Sequence, residues 1–426
     1  MTSSKRGFTV GIATFVLTTL AWLLLQNLSL GDKQIDERIE VGYAASDPQF
    51  ERVMGAVLGP TLVGGNHVQA LQNGDEIFPA MLGAIRSAQR TITFETYIYW
   101  SGTIGKEFAQ ALAERARAGV SVHVMLDWWG SGLEATNLDA MRAAGIALQR
   151  YNPPRLTTLG RMNNRTHRKL LVVDGRTGFI GGVGIADAWR GQAQGPQHWR
   201  DMHYRVEGPV VAQLQAAFLD NWVALTGHLL HGQKYLPPLD VVGTQAAQAF
   251  TSASGGGAES MQLMMLMSIA AARSTLALSM AYFVPDNVAV NSLVAAARRG
   301  VRVQMIVPGA YADSELVRRA SRFEWGPLLR AGIEIYKYQP TMYHCKVRRG
   351  AARDFRCRPA PVAPRDAGRM GGPELDRQIA RRTCRNVEFA AVRRATWSGA
   401  LVSTRLQTPM HLTHRAGWNP RFKSAL

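Results

Sequence analysis

The apolar residues of this chain follow two different periods in neighbouring segments, one typical of a helix and one typical of a strand. From Lys106 to Ala118 they recur every three to four positions, which places Phe108, Leu112 and Ala116 on one helical face. Gly119 ends this pattern, as glycine often does after a helix. Valine or leucine then occupies every second position of the next seven residues, which predicts a strand.

The same helix-to-strand pattern occurs again later in the chain. Residues 117–122 (Arg-Ala-Gly-Val-Ser-Val) correspond to residues 298–303 (Arg-Arg-Gly-Val-Arg-Val), an offset of 181. Residues 144–146 correspond to residues 331–333, an offset of 187. The order and the similar offsets indicate an internal duplication. We therefore predict an α/β fold of two halves related by a pseudo-twofold axis.

An apolar segment precedes the two halves. Residues 7–31 contain no charged side chain, and the stretch is long enough to cross a bilayer core of about 30 Å. We predict one uncleaved N-terminal transmembrane helix. A cleaved signal peptide is the alternative, but no convincing cleavage site with small residues follows closely. Lys5 and Arg6 directly before the segment favour an N-terminus on the cytoplasmic side.

The net charge is concentrated in one of six predicted segments. The tail at 348–426 holds 16 Arg and one Lys against five acidic residues, so it carries +12 of the net +18. The first 347 residues carry +6, which is ordinary for a globular protein, so we expect no nucleic-acid partner. The segments are the anchor at 7–30, a linker at 31–66, the first half at 67–245, a linker at 246–260, the second half at 261–347 and this tail.

Two short motifs place a histidine beside a lysine on one face of a strand. His167 and Lys169 form the first motif, and His344 and Lys346 form the second motif 177 residues later. Alternate side chains of a strand point to the same side, so each motif presents an imidazole next to a cation. The imidazole can attack or protonate, and the ammonium group can hold an anion. Two such pairs that meet across the axis would form a site for a phosphodiester.

The first motif continues to Asp174 and then to a pair of glycines, which resembles the signature of the phospholipase D superfamily. The surrounding sequence is similar to bacterial cardiolipin synthase-like members over about residues 67–347. The similar segments are Phe94-Glu95-Thr96-Tyr97-Ile98, Asn164–Gly175, His198-Trp199-Arg200-Asp201, Tyr282-Phe283-Val284-Pro285, Ala297–Val301 and Tyr338–His344.

This resemblance implies roles for five site residues and requires neither a cofactor nor a metal. His167 would attack phosphorus and form a phosphohistidine, and His344 would protonate the leaving alkoxide, with the reverse assignment still open. Lys169 and Lys346 would neutralise the phosphodiester and stabilise charge in the transition state. Asp174 would support the site. It also begins an Asp-Gly-Arg sequence, and turn formation is the alternative role for it.

The resemblance also implies a phosphatidyltransferase of the cardiolipin synthase type. Its expected substrate is a phospholipid, phosphatidylglycerol first of all, and its expected place is the inner membrane of a bacterium, with a periplasmic site favoured. A phospholipase D-type phosphodiesterase acting on lipid or nucleic acid is the second hypothesis. A non-catalytic, membrane-tethered remnant of such an enzyme is the third.

The second motif departs from the family pattern after Val347. Ala351 stands where the motif needs aspartate, and Asp354 comes three residues too late. The chain then becomes arginine-rich, and its hydrophobic periodicity fades. We interpret the tail as frameshifted and the second half as incomplete, and a basic tail that binds anionic lipid is the alternative. In the first half, Gly184 occupies a position where the family often carries asparagine.

Overall fold

A computed structural model describes residues 2–29, 35–155, 164–252 and 259–351. The helices are α1 (Thr2–Ser29), α2 (Pro48–Leu58), α3 (Asn73–Ser87), α4 (Thr103–Arg117), α5 (Ala135–Ala143), α6 (Val211–Thr226), α7 (Glu259–Ala271), α8 (Asn287–Arg298), α9 (Glu315–Phe323) and α10 (Trp325–Arg330). The strands are β1 (Val63–Gln72), β2 (Thr91–Thr96), β3 (Tyr99–Trp100), β4 (Ser121–Asp127), β5 (Ser131–Gly132), β6 (Ala147–Tyr151), β7 (Lys169–Val173), β8 (Thr177–Gly181), β9 (Met202–Glu207), β10 (Gln245–Ala247), β11 (Thr275–Met280), β12 (Arg302–Pro308), β13 (Glu334–Tyr338) and β14 (Lys346–Ala351).

The first half forms one eight-stranded mixed sheet in the order β10-β1-β9-β8-β7-β2-β4-β6. Strands β2, β4 and β6 are parallel, and β7 pairs antiparallel with β2. Helices α3 and α4 bury apolar side chains against one face of this sheet, and α6 buries its apolar side chains against the other face. The helix predicted over 106–118 and the strand predicted after it are confirmed as α4 and β4.

The second half repeats the central part of that sheet. Its four strands lie in the order β13-β12-β11-β14, with β11, β12 and β13 parallel and β14 antiparallel to β11. Strands β2, β4, β6 and β7 have the same relative order and direction. The predicted α/β architecture of two equivalent halves is therefore confirmed, and β11 to β14 correspond to β2, β4, β6 and β7.

One apolar cluster joins the two halves. It contains Val172 of the first sheet together with Ile306, Tyr343 and Cys345 of the second half, all of them buried. The removal of apolar surface from water is the main favourable term in such an association. The same cluster extends beneath α6, so the contact between the halves is continuous with the core of the first half.

The segment 31–66 is not the open linker that its composition predicts. Its described part contains α2 and the start of β1. Phe50, Met54 and Leu58 form one face of α2, and this face is buried against methionines of α7. An isolated helix of this length has little stability in water. The contact with the apolar surface of α7 therefore stabilises α2. The predicted linker at 246–260 lies partly outside the described residues, and its described ends belong to β10 and α7.

The apolar N-terminal segment is helical, as α1. Within the described residues, none of the helices combines the length and the apolarity that a membrane crossing needs. The large apolar side chains of α1 are exposed, among them Phe8, Phe15, Leu17 and Trp22. The transmembrane anchor over 7–30 therefore stays a prediction.

The second half continues past its predicted end at Val347, because β14 reaches Ala351. The backbone of β14 pairs with β11 along the whole strand, from Lys346 to Ala351. Arg348 also donates to the carbonyl oxygens of Met264 and Met265 at 3.3 Å. The first four residues of the predicted tail thus belong to the fold. The frameshift interpretation concerns mainly 352–426, which lies outside the described residues.

The strand registers bring both His-x-Lys motifs to the same kind of sheet edge. Thr96 at the carboxyl end of β2 faces Lys169 at the start of β7. Met280 at the carboxyl end of β11 faces Lys346 at the start of β14 in the same way. The carboxyl edge of parallel strands is where α/β sheets commonly bind ligands. This edge is therefore the place to look for a functional site.

Candidate active site

The two His-x-Lys motifs make matching backbone contacts. Nζ of Lys169 donates a hydrogen bond to the carbonyl oxygen of His167 at 3.1 Å. Nζ of Lys346 donates to the carbonyl oxygen of His344, also at 3.1 Å. Each lysine Nζ is thus held by the backbone of the histidine in its own motif. The duplication of the fold extends to the geometry of these four residues.

A tyrosine lies against each lysine. Nζ of Lys169 is 5.5 Å from the ring centre of Tyr97, and Nζ of Lys346 is 5.2 Å from that of Tyr282. Tyr97 follows β2 and Tyr282 follows the equivalent strand β11, so these contacts also obey the pseudo-twofold relation. The Tyr97 ring lies 4.9 Å from the ring of His167 as well. Because the face of an aromatic ring attracts a cation, each tyrosine helps to hold its lysine in place.

The carboxylate of Asp201 orients one of the two imidazoles. Nδ1 of His344 lies 2.7 Å from Oδ2 of Asp201, and Nε1 of Trp189 donates to the same oxygen at 3.0 Å. The backbone N–H of Met202 donates to Oδ1 at 2.8 Å. Since an ionised carboxylate only accepts, we assign the proton of the neutral imidazole to Nδ1. Nε2 then carries the lone pair and lies 3.2 Å from Nζ of Lys346.

Backbone pairing between the halves brings Asp201 to this histidine. The N–H of Arg200 donates to the carbonyl oxygen of Met342 at 2.9 Å. The N–H of His344 donates to the carbonyl oxygen of Arg200 at 2.8 Å. These two bonds fix the second motif beside a segment of the first half. The site is therefore assembled from both halves.

His167 has a different environment. Its Nδ1 atom is buried and has no hydrogen-bond partner among the described residues. Asp201 follows the strands β7 and β8, so its counterpart in the second half would follow β14. That stretch of the chain lies outside the described residues. The described part of the site thus contains one oriented imidazole and one imidazole whose Nδ1 faces no acceptor.

Two buried carboxylates hold the residue before His167. Oδ2 of Asp127 accepts a hydrogen bond from the backbone N–H of Thr166 at 3.0 Å, and Glu95 accepts one from the Thr166 hydroxyl. Nδ2 of Asn221 also donates to Glu95, at 2.7 Å. Both carboxylates have no exposed surface, and they lie at the ends of β2 and β4. They fix the path of the backbone into the first motif.

Burial and the neighbouring cations keep both imidazoles neutral. Burial lowers the pKa of His167 well below its usual value, and Lys169 and Lys346 lower it further. Burial and Lys346 also lower the pKa of His344, while the charge of Asp201 opposes that shift. Burial lowers the pKa of Lys169 to about 7, and repulsion from Lys346 adds to the effect. A bound anion would raise all of these pKa values, because it favours each protonated form.

Two glycines permit the close packing around Asp201. A Cβ atom on Gly182 would lie 2.2 Å from Oδ1 of Asp201. A Cβ atom on Gly184 would lie 2.6 Å from Cβ of Ile98. Real Cβ atoms essentially never come so near to another heavy atom. An asparagine at 184 would therefore require Ile98 to move.

Asp174 lies at the other end of β7 from Lys169. Its carboxylate accepts hydrogen bonds from the backbone N–H groups of Gln89, Arg90 and Thr91 at 2.9, 2.7 and 2.9 Å. It adopts a φ of 53°, as expected at a turn. These contacts are with the segment that leads into β2, and the imidazoles lie at the opposite edge. The three hydrogen bonds of Asp174 therefore fit turn formation, the alternative role that the sequence leaves open for this residue.

Replacing Asp174 with alanine is expected to lower the free energy of unfolding by about 2–4 kcal/mol, because three backbone N–H groups lose a charged acceptor. The turnover per folded molecule should stay near that of the unmodified chain. Urea unfolding followed by circular dichroism measures the first quantity. Asp240→Ala is the matched control, since the Asp240 carboxylate is 86% exposed and its ion pair with Arg176 is long, at 3.9 Å. Lost turnover at unchanged stability would contradict the structural role.

Three residues at the site, Asp201, Tyr97 and Tyr282, enter the sequence analysis only through the family resemblance. Asp201 cannot be linked to His344 without the fold, because the pairing depends on how the halves meet. The two tyrosines carry a usable signal. Tyr97 and Tyr282 are 185 residues apart, close to the repeat offsets of 181 and 187. Alignment of the two halves would have selected them as a pair.

The fold and the paired motifs define a two-half protein of the phospholipase D class. The family described as "Cardiolipin synthase, PLD-like domain" matches residues 81–218 and 265–348, just over half of the chain. The chain belongs to this family of phospholipase D-like enzymes. The matched ranges contain all four residues of the two His-x-Lys motifs.

Named cardiolipin synthases are similar to this chain over part of their length. It is 34% identical over 281 residues to the cardiolipin synthase of Geobacillus kaustophilus, an alignment that covers 65% of this chain and 56% of that protein. It is 33% identical over 290 residues to cardiolipin synthase A of Pseudomonas fluorescens, covering 66% and 59%. The chain thus spans a little over half the length of the curated relatives that it matches.

Two solved structures are similar to this chain at low sequence identity. The phosphatidylserine synthase of Haemophilus influenzae is 13% identical with a TM-score of 0.48, covering 71% of this chain and 80% of that chain. The phospholipase D family member Nuc of Salmonella typhimurium is 18% identical with a TM-score of 0.30, covering 37% and 94%.

Proposed function

We propose that this chain transfers a phosphatidyl group from one phosphatidylglycerol to a hydroxyl of a second, as a cardiolipin synthase does. One observation carries this proposal: two histidine–lysine pairs from equivalent strands lie together, with Asp201 oriented on one imidazole. The printed names of the relatives supply the substrate class. In the first step a phosphorus–oxygen bond breaks, a phosphorus–nitrogen bond forms and glycerol leaves. In the second step the acceptor oxygen replaces nitrogen on phosphorus.

His167 is the proposed nucleophile. A nucleophilic imidazole must be neutral, and burial with Lys169 and Lys346 holds the pKa of His167 well below its usual value. Thr166 is fixed by two carboxylates, so the attacking ring starts from a defined backbone position. Attack on phosphorus would form the phosphohistidine, and the leaving glycerol oxygen would depart on the opposite side.

His344 is the proposed acid and base. Its Nδ1 is held by Asp201, so Nε2 is the atom that exchanges protons with substrate. A bound phosphodiester adds a negative charge nearby and would raise the pKa of His344 toward the protonated form. The imidazolium then gives its proton to the leaving glycerol oxygen. The neutral ring takes a proton from the acceptor hydroxyl in the second step.

The two lysines are the proposed charge stabilisers. Lys169 and Lys346 are held behind the histidines by backbone carbonyl oxygens, so little reorganisation is needed when an anion binds. Asp201 is the buried acidic partner within this group. Burial alone would raise the pKa of Asp201, but His344 and Lys346 outweigh it and keep that pKa low.

We also propose that α1 attaches the protein to the bacterial inner membrane. Its exposed apolar side chains, such as Phe15 and Trp22, support this attachment. Lys5 and Arg6 before the apolar stretch favour a catalytic region on the periplasmic side. Phosphatidylglycerol would then diffuse to the site within the membrane that holds the enzyme.

The direct test uses the purified full chain in vesicles that contain phosphatidylglycerol labelled in the glycerol headgroup and in the acyl chains. Cardiolipin and free glycerol in equal amounts are expected. Phosphatidic acid without cardiolipin would instead identify a hydrolase, and cleavage of added single-stranded DNA without cardiolipin would identify a nuclease. Salt-sensitive vesicle binding without any product would identify a non-catalytic remnant. Each of these three results would reject the transferase.

The pH dependence of kcat/KM is expected to be bell-shaped, with its maximum on the acidic side of neutrality. On the alkaline side kcat/KM falls as the proposed acid His344, whose pKa is lowered by burial and Lys346, loses its proton. It falls more steeply as pH rises through about 7, because Lys169 also loses its proton and no longer attracts the phosphodiester. On the acidic side it falls only well below the usual histidine pKa, where His167 becomes protonated. Bound substrate raises the pKa of Lys169, so the alkaline limb of kcat should lie at higher pH than that of kcat/KM. Alkaline limbs that coincide would contradict this role of Lys169.

A further inference from the structure

Exposed aromatic and aliphatic side chains surround the approach to the site on both halves. In the first half, Trp128 and Trp129 follow β4 and are 36% and 57% exposed. In the second half, Tyr311 follows β12, and Leu316 and Phe323 lie on α9, at 44%, 64% and 86% exposure. Strands β4 and β12 are equivalent in the two halves. The pseudo-twofold relation therefore places one apolar group on each side of the site.

The first group, here called the first rim (Trp128, Trp129 and Arg165), is connected to the first motif. Cζ of Arg165 lies 5.5 Å from the ring centre of Trp129, and Arg165 precedes His167 by two residues. Asp127 accepts hydrogen bonds from the backbone N–H of Trp129 and from that of Thr166. The rim and the residue before the proposed nucleophile thus share one buried carboxylate.

The second group, here called the second rim (Tyr311, Leu316, Arg319, Arg322 and Phe323), is connected to the second motif. Asp313, between Tyr311 and α9, accepts a hydrogen bond from the hydroxyl of Tyr282. The ring of Tyr282 lies 5.8 Å from the ring of His344. Leu316 and Phe323 are two helical turns apart and lie on the same face of α9. Both rims therefore border the paired motifs, and a ligand that covers them also reaches the site.

The chemistry of the rims fits an anionic bilayer surface. Tryptophan and tyrosine favour the boundary between headgroups and acyl chains, and arginine beside them binds lipid phosphate. Short helices that interleave apolar and basic side chains lie in that boundary. Arg319 shares the carboxylate of Glu315 with Arg318, at 2.9 and 2.5 Å, and Arg322 adds a further cation on α9. Helix α9 thus carries both basic and apolar side chains of the second rim.

We propose that the two rims dock the catalytic region onto the surface of an anionic membrane, so that the edge of the site rests against the lipid headgroups. The inference rests on the proposed function, since it takes the substrate from a bilayer. A protein partner or a second copy seated on both rims would close the approach between them. His167 and Lys346 are only partly buried, so that approach leads to reactive groups. A lipid surface is the occupant that covers the rims and also supplies substrate.

The test is hydrogen–deuterium exchange of the full chain in lipid nanodiscs, compared with the chain in detergent. With phosphatidylglycerol in the nanodisc, amide exchange at 127–132 and 311–324 should slow several-fold. Nanodiscs of phosphatidylcholine alone should give a smaller effect, because the arginines lack an anionic partner. The control segment 239–244 should not change, since Val242 bonds to Gly65 at the opposite edge of the sheet. No slowing at the rims would overturn the proposal. Slowing that appears in detergent as protein concentration rises would also overturn it, in favour of a second copy.

Variants separate docking from chemistry. A quadruple variant should lower turnover of vesicle phosphatidylglycerol by at least about tenfold. It combines Trp128→Ser, Trp129→Ser, Leu316→Ser and Phe323→Ser. Turnover of a short-chain phosphatidylglycerol dispersed as monomers should change less than about twofold, because the site itself is untouched. Val241→Ser with Val242→Ser is the matched control, at 75% and 52% exposure. Equal losses on both substrates would overturn the docking role.

The two proposals can fail separately. Rims that are protected by anionic nanodiscs in a protein that makes no cardiolipin would reject the transferase and leave the membrane surface standing. Cardiolipin synthesis by a protein whose rims stay unprotected would reject the surface and leave the transferase standing.

Discussion

Replacing His167 with alanine is expected to abolish cardiolipin formation, with a loss of at least about 10⁴-fold in kcat. Alanine offers no nitrogen to attack phosphorus, and the neighbouring imidazole is committed to Asp201 through Nδ1. The fold should tolerate the change, since His167 precedes β7 and its Nδ1 makes no hydrogen bond within the described residues. Product formation from labelled phosphatidylglycerol in vesicles measures the loss.

Trapping of the intermediate distinguishes the two histidines. With His344→Ala, label from the phosphatidyl group should accumulate on the protein when an activated donor with a good leaving group is supplied, because departure then needs no acid. His167→Ala should trap no label with the same donor. If the labelled protein appears with His167→Ala instead, the roles are reversed and His344 is the nucleophile. Both variants must keep the unfolding midpoint of the parent chain for the comparison to be valid.

Replacing Asp201 with asparagine is expected to lower kcat by about 10²–10⁴-fold, the range for loss of a supported general acid. Asparagine keeps the shape of aspartate but carries no charge to stabilise the imidazolium of His344. Its NH₂ group can also donate to Nδ1 and select the wrong tautomer. With the NH₂ group at the position of Oδ2, the backbone N–H of Met202 keeps its acceptor, whereas Nε1 of Trp189 loses its acceptor. The volume of the side chain is retained.

The leaving group decides whether Asp201 acts through His344. A phosphodiester with a nitrophenol leaving group needs no proton from the acid. On that substrate Asp201→Asn should lose less than about tenfold, whereas His167→Ala should lose as much as on phosphatidylglycerol. Thr93→Val is a matched control. It removes a buried hydrogen bond, 3.1 Å long, from Thr93 to Gln215, and neither residue contacts the imidazoles. Equal losses of Asp201→Asn on both substrates would make it a structural residue only.

Within the described residues, the two histidines have unequal support. Ala351 ends β14 where the family motif carries aspartate, and the described residues contain no acceptor for Nδ1 of His167. The strand itself still forms, because β11 supplies the partner backbone as far as Ala351. Lys346 and His344 are therefore placed correctly by a motif whose later residues are altered. The sequence alone predicts that the second half ends at Val347, whereas the described structure extends β14 to Ala351.

The periodicity of the sequence was enough to identify the α/β class and the duplication. Such patterns follow from local backbone geometry, which turns the side chains every 3.6 residues in a helix and every two in a strand. The segment 31–66 differs from the predicted linker because the apolar face of α2 is buried by α7, which follows about 200 residues later in the chain. Its glycines and mixed polar and apolar residues look like linker composition until the partner helix is known.

By itself, the sequence determined that two His-x-Lys motifs occupy equivalent positions in a repeated α/β unit, since spacing is a local property. The prediction that each histidine shares a strand with its lysine is wrong, because β7 and β14 begin at the lysines and each histidine precedes its strand. Only the tertiary structure decided that Asp201 meets His344 across 143 residues and that Asp174 lies at the far end of β7. It also decided that Trp129 is exposed beside the site. These facts depend on how distant segments meet, and that is set by the burial of the apolar cluster between the two halves.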